Sequence, residues 1–542
     1  MKNILKITLL GIGILNAQES TKEIDSIQNL EPVFINTQVI FGSKYEAENK
    51  TGSSFYLSPE ELEKFSYSDI NRVLKSVPGV NIYEEDGFGL RPNISLRGTS
   101  PERSAKISIM EDGILIAPAP YSAPAAYYFP SVARMQAVEI LKGSSQIQYG
   151  PFTTGGALNL VSTQIPESFR GSIKTSYGSF NTGQTHLKIG DSKTYLGYSL
   201  EYLNNNSNGF KNLPNGDNTG FDKNDVVAKF RLQNKQDSKF NQSIEFKFQY
   251  SDETSNETYL GLTTEDFKTN PFDRYAASQN DKMTNDHLQF MVTHKIDISN
   301  FLRITTNAYH NSFSRNWYKL NDVVFGGDKV KISKLLEAPQ DYPNYMDIIN
   351  GTSNSDADAF VLKANNRKYL SKGIQTKLDF HWNSSEVFHD LEIGLRYHYD
   401  DEDRFQWKDG YSMTDGQMNL TSAGTPGSDA NRISKATAFA GSVLYKLKYN
   451  NITITPGIRY EDIVLERDNF GSDDPNRIGT DISSRENKVS IFIPGIGFNY
   501  KINNSNSIFG GVHKGFSPPG NTVGQKSEES INYELGSRFN FK

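Results

Sequence analysis

The sequence runs to 542 residues with a net charge of -6, 36% hydrophobic and 12% aromatic residues, and no cysteine. That balance excludes a disulfide scaffold, thiolate metal sites and a cysteine nucleophile, and it carries no basic patch of the kind nucleic acid requires. The hydrophobic share lies below the globular norm of roughly 45–50%, yet 28 Tyr and 33 Phe argue against disorder and suit strands with one face to lipid and one to water.

Residues 1–17 read as a secretory signal: Lys2 and Lys6 precede an apolar stretch from Ile7 to Leu15, and Asn16-Ala17 sets a small residue before Gln18. Beyond it no run of about 18 apolar residues occurs, so no transmembrane helix is expected. A membrane span would have to be a closed barrel, because lipid satisfies no backbone hydrogen bonds. Residues 18–50 form a polar leader with one apolar patch inside Leu30-Glu31-Pro32-Val33-Phe34-Ile35-Asn36-Thr37. An extended segment of this kind can lend its backbone edge to a partner strand.

Residues 51–165 read as a mixed α/β domain. Ser58-Pro59-Glu60-Glu61 places an N-cap, a first-turn proline and two acids at the head of a helix. Asp69 precedes Ile70, Val73, Leu74 and Val77 at helical spacing, and Pro78-Gly79 stops that helix. Short strands are expected over Ala105–Met110 and Ala137–Leu141.

Over residues 171–542 the period changes to two. Ile244, Phe246, Phe248 and Tyr250 alternate with Glu245, Lys247 and Gln249; Leu391 to Tyr399 and Ile452 to Tyr460 repeat the pattern. Short turns at Gly190–Lys193, Asn234–Gln242, Lys295–Asn300, Asn383–His389, Tyr449–Asn451 and Lys501–Ser505 alternate with long polar loops. The loops are expected at Asn204–Lys223, Ser251–Asn285, Ser314–Lys372, Asp401–Ser434, Arg467–Asn487 and Phe516–Glu529. Short turns on one side and long loops on the other belong to an antiparallel outer-membrane barrel. About 14 strands are counted this way.

No catalytic constellation appears: there is no metalloprotease His pair, phosphate loop or nucleophile elbow, and Gly11-Ile12-Gly13 sits in the signal. His381, His389 and His398 are read as structural, two on a lumen face and one in a turn, and Asp400-Asp401-Glu402-Asp403 as a solvated loop base. Neither a metal site nor a cofactor is expected.

Five short strings then occur in order: Leu96-Arg97-Gly98, Met110-Glu111-Asp112-Gly113, Val138-Glu139-Ile140-Leu141-Lys142-Gly143, Tyr149-Gly150 and Gly155-Gly156-Ala157-Leu158-Asn159. This order, followed by a barrel pattern, resembles the TonB-dependent outer-membrane receptors over nearly the whole chain after the signal. Ala117-Pro118-Ala119-Pro120-Tyr121-Ser122-Ala123-Pro124 and Glu528-Glu529-Ser530-Ile531-Asn532-Tyr533-Glu534-Leu535-Gly536 are similar to the ferric dicitrate branch.

The resemblance implies a lipid-embedded barrel closed by an N-terminal plug that imports a ferric chelate, iron(III) dicitrate first. Another siderophore or haem is the alternative, and a passive porin or adhesion barrel the alternative of another class. It implies that residues 30–37 are a TonB box, captured by the TonB protein of the inner-membrane energy-coupling complex. It implies that Arg103, Lys106, Tyr121 and Ser122 meet the ligand, Lys106 standing where relatives carry Arg and Ala123 where they carry Gln. Arg97, Glu139 and Glu534 would tie the plug to the barrel.

Two departures are expected to matter. Family barrels have about 22 strands, and a closed sheet of about 14 would leave too little room for the plug, so the sequence is expected to continue beyond Lys542. About a dozen residues between Ala17 and Leu30 are too few for a folded signalling domain.

Overall fold

The computed structural model of the protein describes residues 39–235, 238–480, 482–503 and 505–539. The expected signal at 1–17 and the expected TonB box at 30–37 lie outside them.

The first described elements are α1 (Lys44–Glu48), β1 (Ser54–Leu57), α2 (Pro59–Phe65) and α3 (Ile70–Leu74). Ser58 Oγ accepts from Glu61 N–H while Glu61 Oε2 accepts from Ser58 N–H, the reciprocal cap expected at α2. Asp69 accepts from Asn71 N–H at α3. That helix ends at Leu74 rather than Val77, although Lys75 keeps helical backbone angles; Pro78 restricts only Val77 before it.

Six further strands complete the plug: β2 (Val80–Tyr83), β3 (Asn93–Leu96), β4 (Ser108–Glu111), β5 (Ile114–Leu115), β6 (Met135–Leu141) and β7 (Ala157–Ser162). The central sheet has the order β1-β6-β7-β4-β5, parallel between β4 and β7 and antiparallel elsewhere, and β2 pairs with β3 alone. Leu74, Ile94, Leu96, Val138, Ile140, Leu158 and Leu160 fill its core, which also takes in Phe313 and Tyr369 from the surrounding wall. Plug and wall therefore share one apolar cluster.

The wall is a single antiparallel sheet: β8 (Arg170–Gly178), β9 (Thr182–Ser192), β10 (Leu196–Ser207), β11 (Phe221–Gln233), β12 (Asn241–Ser255), β13 (Lys282–Ser299), β14 (Leu302–Phe325), β15 (Asp328–Lys331), β16 (Phe360–Ser384), β17 (Val387–Thr414), β18 (Gln417–Ser422), β19 (Ala430–Tyr449), β20 (Ile452–Asn469), β21 (Ser483–Lys501), β22 (Asn506–Ser517) and β23 (Glu528–Phe539). It has 16 strands, of which β15 and β18 are hairpin extensions, leaving the expected fourteen on the main path. Along the main path each strand pairs with the next, β14 with β16 and β17 with β19 across the two extensions, and among the described residues β8 and β23 do not pair with each other.

Its side-chain distribution is inverted relative to a water-soluble protein. On β12 Phe246 is 44% exposed and Lys247 2%; on β17 Leu395 is 47% exposed and His398 0%. Alternation sends Phe and Leu outward and Lys, Gln, Arg and His inward against the plug, as a lipid-facing barrel demands. Among the described residues no helix is long and apolar enough to cross a membrane.

The strands overrun the reading from hydrophobic alternation. β17 has 28 residues, although about 9–11 suffice to span a bilayer. The expected loop Asp401–Ser434 is strand as far as Thr414 and again from Ala430, so Asp400 to Asp403 are strand residues rather than a loop base. The expected loop Ser314–Lys372 likewise keeps strand to Phe325 and from Phe360. Beyond the membrane both faces turn polar, so the alternation disappears while the backbone pairing continues. The loops also have a core of their own. Leu260, Tyr275, Val323, Leu335, Met346, Ile348 and Phe360 pack together with α5 (Ile332–Glu337) and α6 (Pro343–Asn350), while α4 (Thr264–Thr269) buries no residue.

Candidate functional site

Strand register builds a belt of arginines above the plug. Arg315 lies opposite Arg367, Arg367 opposite Arg404, and Arg404 opposite Arg432. One step along, Arg467 lies opposite Arg485. Directly opposed residues in an antiparallel pair share a face, and like charges there repel. The compensation is sparse. Glu402, buried between them, accepts from Arg367 Nη1 at 2.7 Å and from Arg404 Nε at 2.6 Å. Arg485 donates to Asn521 Oδ1 at 2.9 Å. The guanidinium groups of Arg432 and Arg467 make no hydrogen bond or ion pair among the described residues, although both feel the charge of Glu402.

The belt faces the plug apex. Arg315 lies 3.7 Å from the centroid of the Tyr127 ring, and Arg367 6.0 Å. Arg103 covers Tyr127 at 5.5 Å and Trp317 at 5.0 Å. Lys319 lies 3.3 Å from the Tyr259 ring. Loop, plug and wall thus meet in a stack of alternating cations and aromatic rings, each such contact favourable by about 0.5–2 kcal/mol.

The residues singled out from sequence separate into two groups. Arg103 is buried at this apex; its Nη2 donates to Glu85 Oε1 at 2.6 Å, and among the described residues its Nη1 has no hydrogen-bond partner. Lys106 Nζ donates to Glu528 Oε2 at 2.6 Å near solvent. Tyr121 and Ser122 lie deeper: their N–H groups donate to the two oxygens of Asp400 at 2.7 and 2.9 Å. The Tyr121 hydroxyl donates to Glu461 and accepts from Arg396. The charge run at residues 400–403 is therefore bonded wall rather than solvated loop: Asp400 accepts from the plug, Glu402 from Arg367 and Arg404, and Asp403 pairs with Arg477. Of the three histidines, His398 joins Tyr309 to Asp400, His381 faces Asp390, and His389 stacks on Trp382.

Among the expected plug ties, Arg97 Nη2 donates to Glu534 Oε2 of β23 at 2.6 Å. Glu139 requires correction: its carboxylate does not reach the wall. It accepts instead from the N–H groups of Ile40, Phe41 and Gly42 and from Asn159 Nδ2. Glu139 lies on β6, flanked by β1 and β7 of the plug sheet, and among the described residues its bonded partners all belong to residues 40–42 and the plug.

Sequence reasoning missed the most buried tie. Lys247 of β12 donates to Glu111 Oε1 at 2.6 Å and Asp112 Oδ2 at 2.7 Å, Lys229 lies 3.8 Å from Asp112, and Arg134 grips Glu111 with two nitrogens. Burial would raise the Glu111 carboxyl, but Arg134 and Lys247 outweigh it and hold it at about 2. The one available signal was Lys247 standing between Phe246 and Phe248, on the face turned from lipid.

Fold and site together define a membrane β-barrel plugged from its amino-terminal side, with a cationic vestibule above the plug. The chain belongs to the TonB-dependent receptors. The TonB-dependent receptor plug domain matches residues 46–157, and the TonB-dependent receptor-like β-barrel matches residues 143–542. Three solved structures carry the same fold. The unliganded ferric citrate transporter FecA is 18% identical with a TM-score of 0.71, over 92% of this chain and 69% of that one. The siderophore receptor PiuA from Acinetobacter baumannii is 14% identical with a TM-score of 0.69, over 91% and 71%. The ferric yersiniabactin uptake receptor FyuA from Yersinia pestis is 15% identical with a TM-score of 0.64, over 91% and 70%.

Proposed function

We propose that this receptor is exported by the signal at residues 1–17, sits in the outer membrane and imports an anionic ferric chelate, iron(III) dicitrate in the first place. The observation that carries the reading is the arginine belt. Six arginines are brought together along the wall by strand register, Arg315 and Arg367 reach the Tyr127 ring of the plug, and Glu402 is the carboxylate bonded to Arg367 and Arg404; Arg forks match carboxylate oxygens. Arg103, with its unpartnered Nη1, is the plug residue that meets the ligand, and Lys106 adds charge at the rim. Tyr121 and Ser122 contribute through the turn that they anchor to Asp400. Residues 30–37 serve as the TonB box, through which the TonB protein couples inner-membrane energy to the plug.

A second reading rests on the aromatic members of the stack. Tyr127, Trp317 and Tyr259, interleaved with Arg103 and Lys319, would also suit a planar aryl chelate such as a catecholate siderophore. A passive pore is disfavoured by the ionic ties that fill the lumen. A strain lacking its own receptors, expressing this chain and offered single iron sources, separates the readings. Growth on ferric citrate that vanishes in an energy-coupling mutant is expected. Growth on catecholate iron alone would select the second reading, and growth independent of coupling would select the pore.

A further inference from the structure

Just before α1 the chain runs over the plug as a short strap, Val39–Gly42. Three consecutive N–H groups converge there on one carboxylate. Glu139 Oε2 accepts from Ile40 at 2.7 Å, and Oε1 accepts from Phe41 at 2.8 Å and Gly42 at 3.0 Å. Gly42 has φ 70°, a left-handed value natural to glycine, which turns its N–H toward the same oxygen. Such a run of amides forms a concave anion seat, here filled by a side chain of the protein itself. The fourth donor is Asn159 Nδ2 at 2.8 Å, so a carboxylate with roughly four acceptor sites is saturated.

The contact continues beyond Glu139. Asn159 Oδ1 accepts from Gly113 N–H at 2.9 Å. Gly113 follows Asp112, which accepts from Lys247 of the wall. Strap, β6, β7, the turn after β4 and β12 are thus joined by hydrogen bonds through buried groups, with the Asp112–Gly113 peptide bond as the one covalent step. The strap has a second anchor in Phe41, which packs among Met110, Leu141, Ala438 and Ile463. Val39 and Ile40 also form part of the wall of a cavity of about 110 Å³ that reaches Gly113, Tyr149, Arg396 and Arg459.

We propose that Glu139 is the positioning residue that transmits tension on the leader to the plug. It grips the strap by three amides at once and passes the load through Asn159 and Gly113 to the Asp112–Lys247 tie, while the departing strap opens the cavity. The inference rests on the proposed TonB coupling through residues 30–37. Without the latch, a pulled leader would peel away and leave the plug in place.

The chain has no cysteine, so Ile40→Cys supplies a single reporter thiol. Glu139→Gln replaces one acceptor oxygen by a donor that opposes the amides, at nearly constant volume. In the full chain in outer membranes, thiol labelling at residue 40 is expected to speed up about tenfold or more in the Glu139→Gln background. Hydrogen exchange at Gly113 N–H should rise with it. Surface binding of ferric citrate should be unchanged and uptake per bound chelate should fall; heat-modifiable migration reports that the barrel is intact. Unchanged labelling overturns the latch. Faster labelling with unchanged Gly113 exchange and unchanged uptake overturns the transmission. Should the parent chain import no chelate at all, the proposed function fails, and labelling with Gly113 exchange still decides the latch and its connection to the plug.

Discussion

Lys247 and Asp112, 135 residues apart in sequence, meet at 2.7 Å between wall and plug, both shielded from solvent. A buried charge without a partner is costly, and breaking such a pair by removing one member typically costs about 3–5 kcal/mol. Lys247→Ala strands Glu111 and Asp112 with Arg134 and Lys229 as their remaining cations. The substitution should lower the denaturation midpoint of the detergent-solubilised receptor and increase protease cleavage within the plug, with Lys247→Arg milder. An unchanged midpoint would mean that water takes over the lysine's role.

The same cluster sets an acid limit. Burial pushes the Glu111 carboxyl up and Arg134 and Lys247 push it further down, from an ordinary 4.5 to about 2. A carboxylate whose folded value is depressed adds stability that is fully present above its unfolded value. That stability is lost as pH falls toward the folded value. Plug protection against protease should therefore hold near pH 5, decline below about 4.5 and fail near 2. In Glu111→Gln that decline should be shallower.

The sequence made some of this legible and hid the rest, for physical reasons. Alternation is written in each strand separately, so the lipid face of β12, the wall fold and the path of fourteen strands could be read residue by residue. The cap at Ser58 is equally local. The arginine belt is not local: Arg404 and Arg432 become neighbours only once the register of β17 and β19 is known. The partners of Glu139 are hidden because three of its four donors are backbone amides, which carry no signature in sequence. Asp400 to Asp403 read as solvated because a polar strand above the membrane looks like a loop.

The proposed TonB box is tested by backbone chemistry. Proline removes an N–H donor and fixes φ, which an added strand does not tolerate at a paired position. Val33→Pro or Ile35→Pro should abolish uptake while surface binding of the chelate stays at its parent level. Uptake that survives both would place the coupling segment elsewhere.

A loop carboxyl offers a second pH handle. Asp281 accepts from Leu320 N–H at 2.9 Å and Tyr259 N–H at 3.0 Å, pinning the loop that lays Tyr259 beside Lys319. Burial raises it to about 7 against partial relief from those amides and Lys319. A raised folded value adds stability that is present below the unfolded value and is lost as pH rises through the folded one. Hydrogen exchange at Tyr259 should thus be slowest near pH 4 and should gain an extra, loop-specific acceleration up to about pH 7. Asp281→Asn should remove that extra component, and an identical pH profile in the variant would exclude the aspartate as its source.

The last prediction concerns the belt. Arg404 and Arg432 lie directly opposite each other, with Glu402 bonded to the first and no described partner on the second. An anionic chelate entering the vestibule would relieve their repulsion, so its binding energy includes strain already present in the empty receptor. Each charge-assisted contact contributes roughly 1.5–3 kcal/mol. Arg404→Glu with Arg432→Glu should therefore weaken ferric citrate binding at least about tenfold. The same double change at Arg103 and Lys106 should also weaken it, by removing the plug's share. Reversing the wall's own anion separates attraction from geometry: Glu402→Gln leaves the arginines in place and removes their competitor, so affinity should rise, most strongly at low salt where charges are least screened. If Glu402→Gln weakens binding instead, the carboxylate is needed to hold Arg367 and Arg404 in shape. If neither arginine pair matters, recognition has moved to the Tyr259–Trp317–Tyr127 rings, and aryl chelates should then bind where citrate does not.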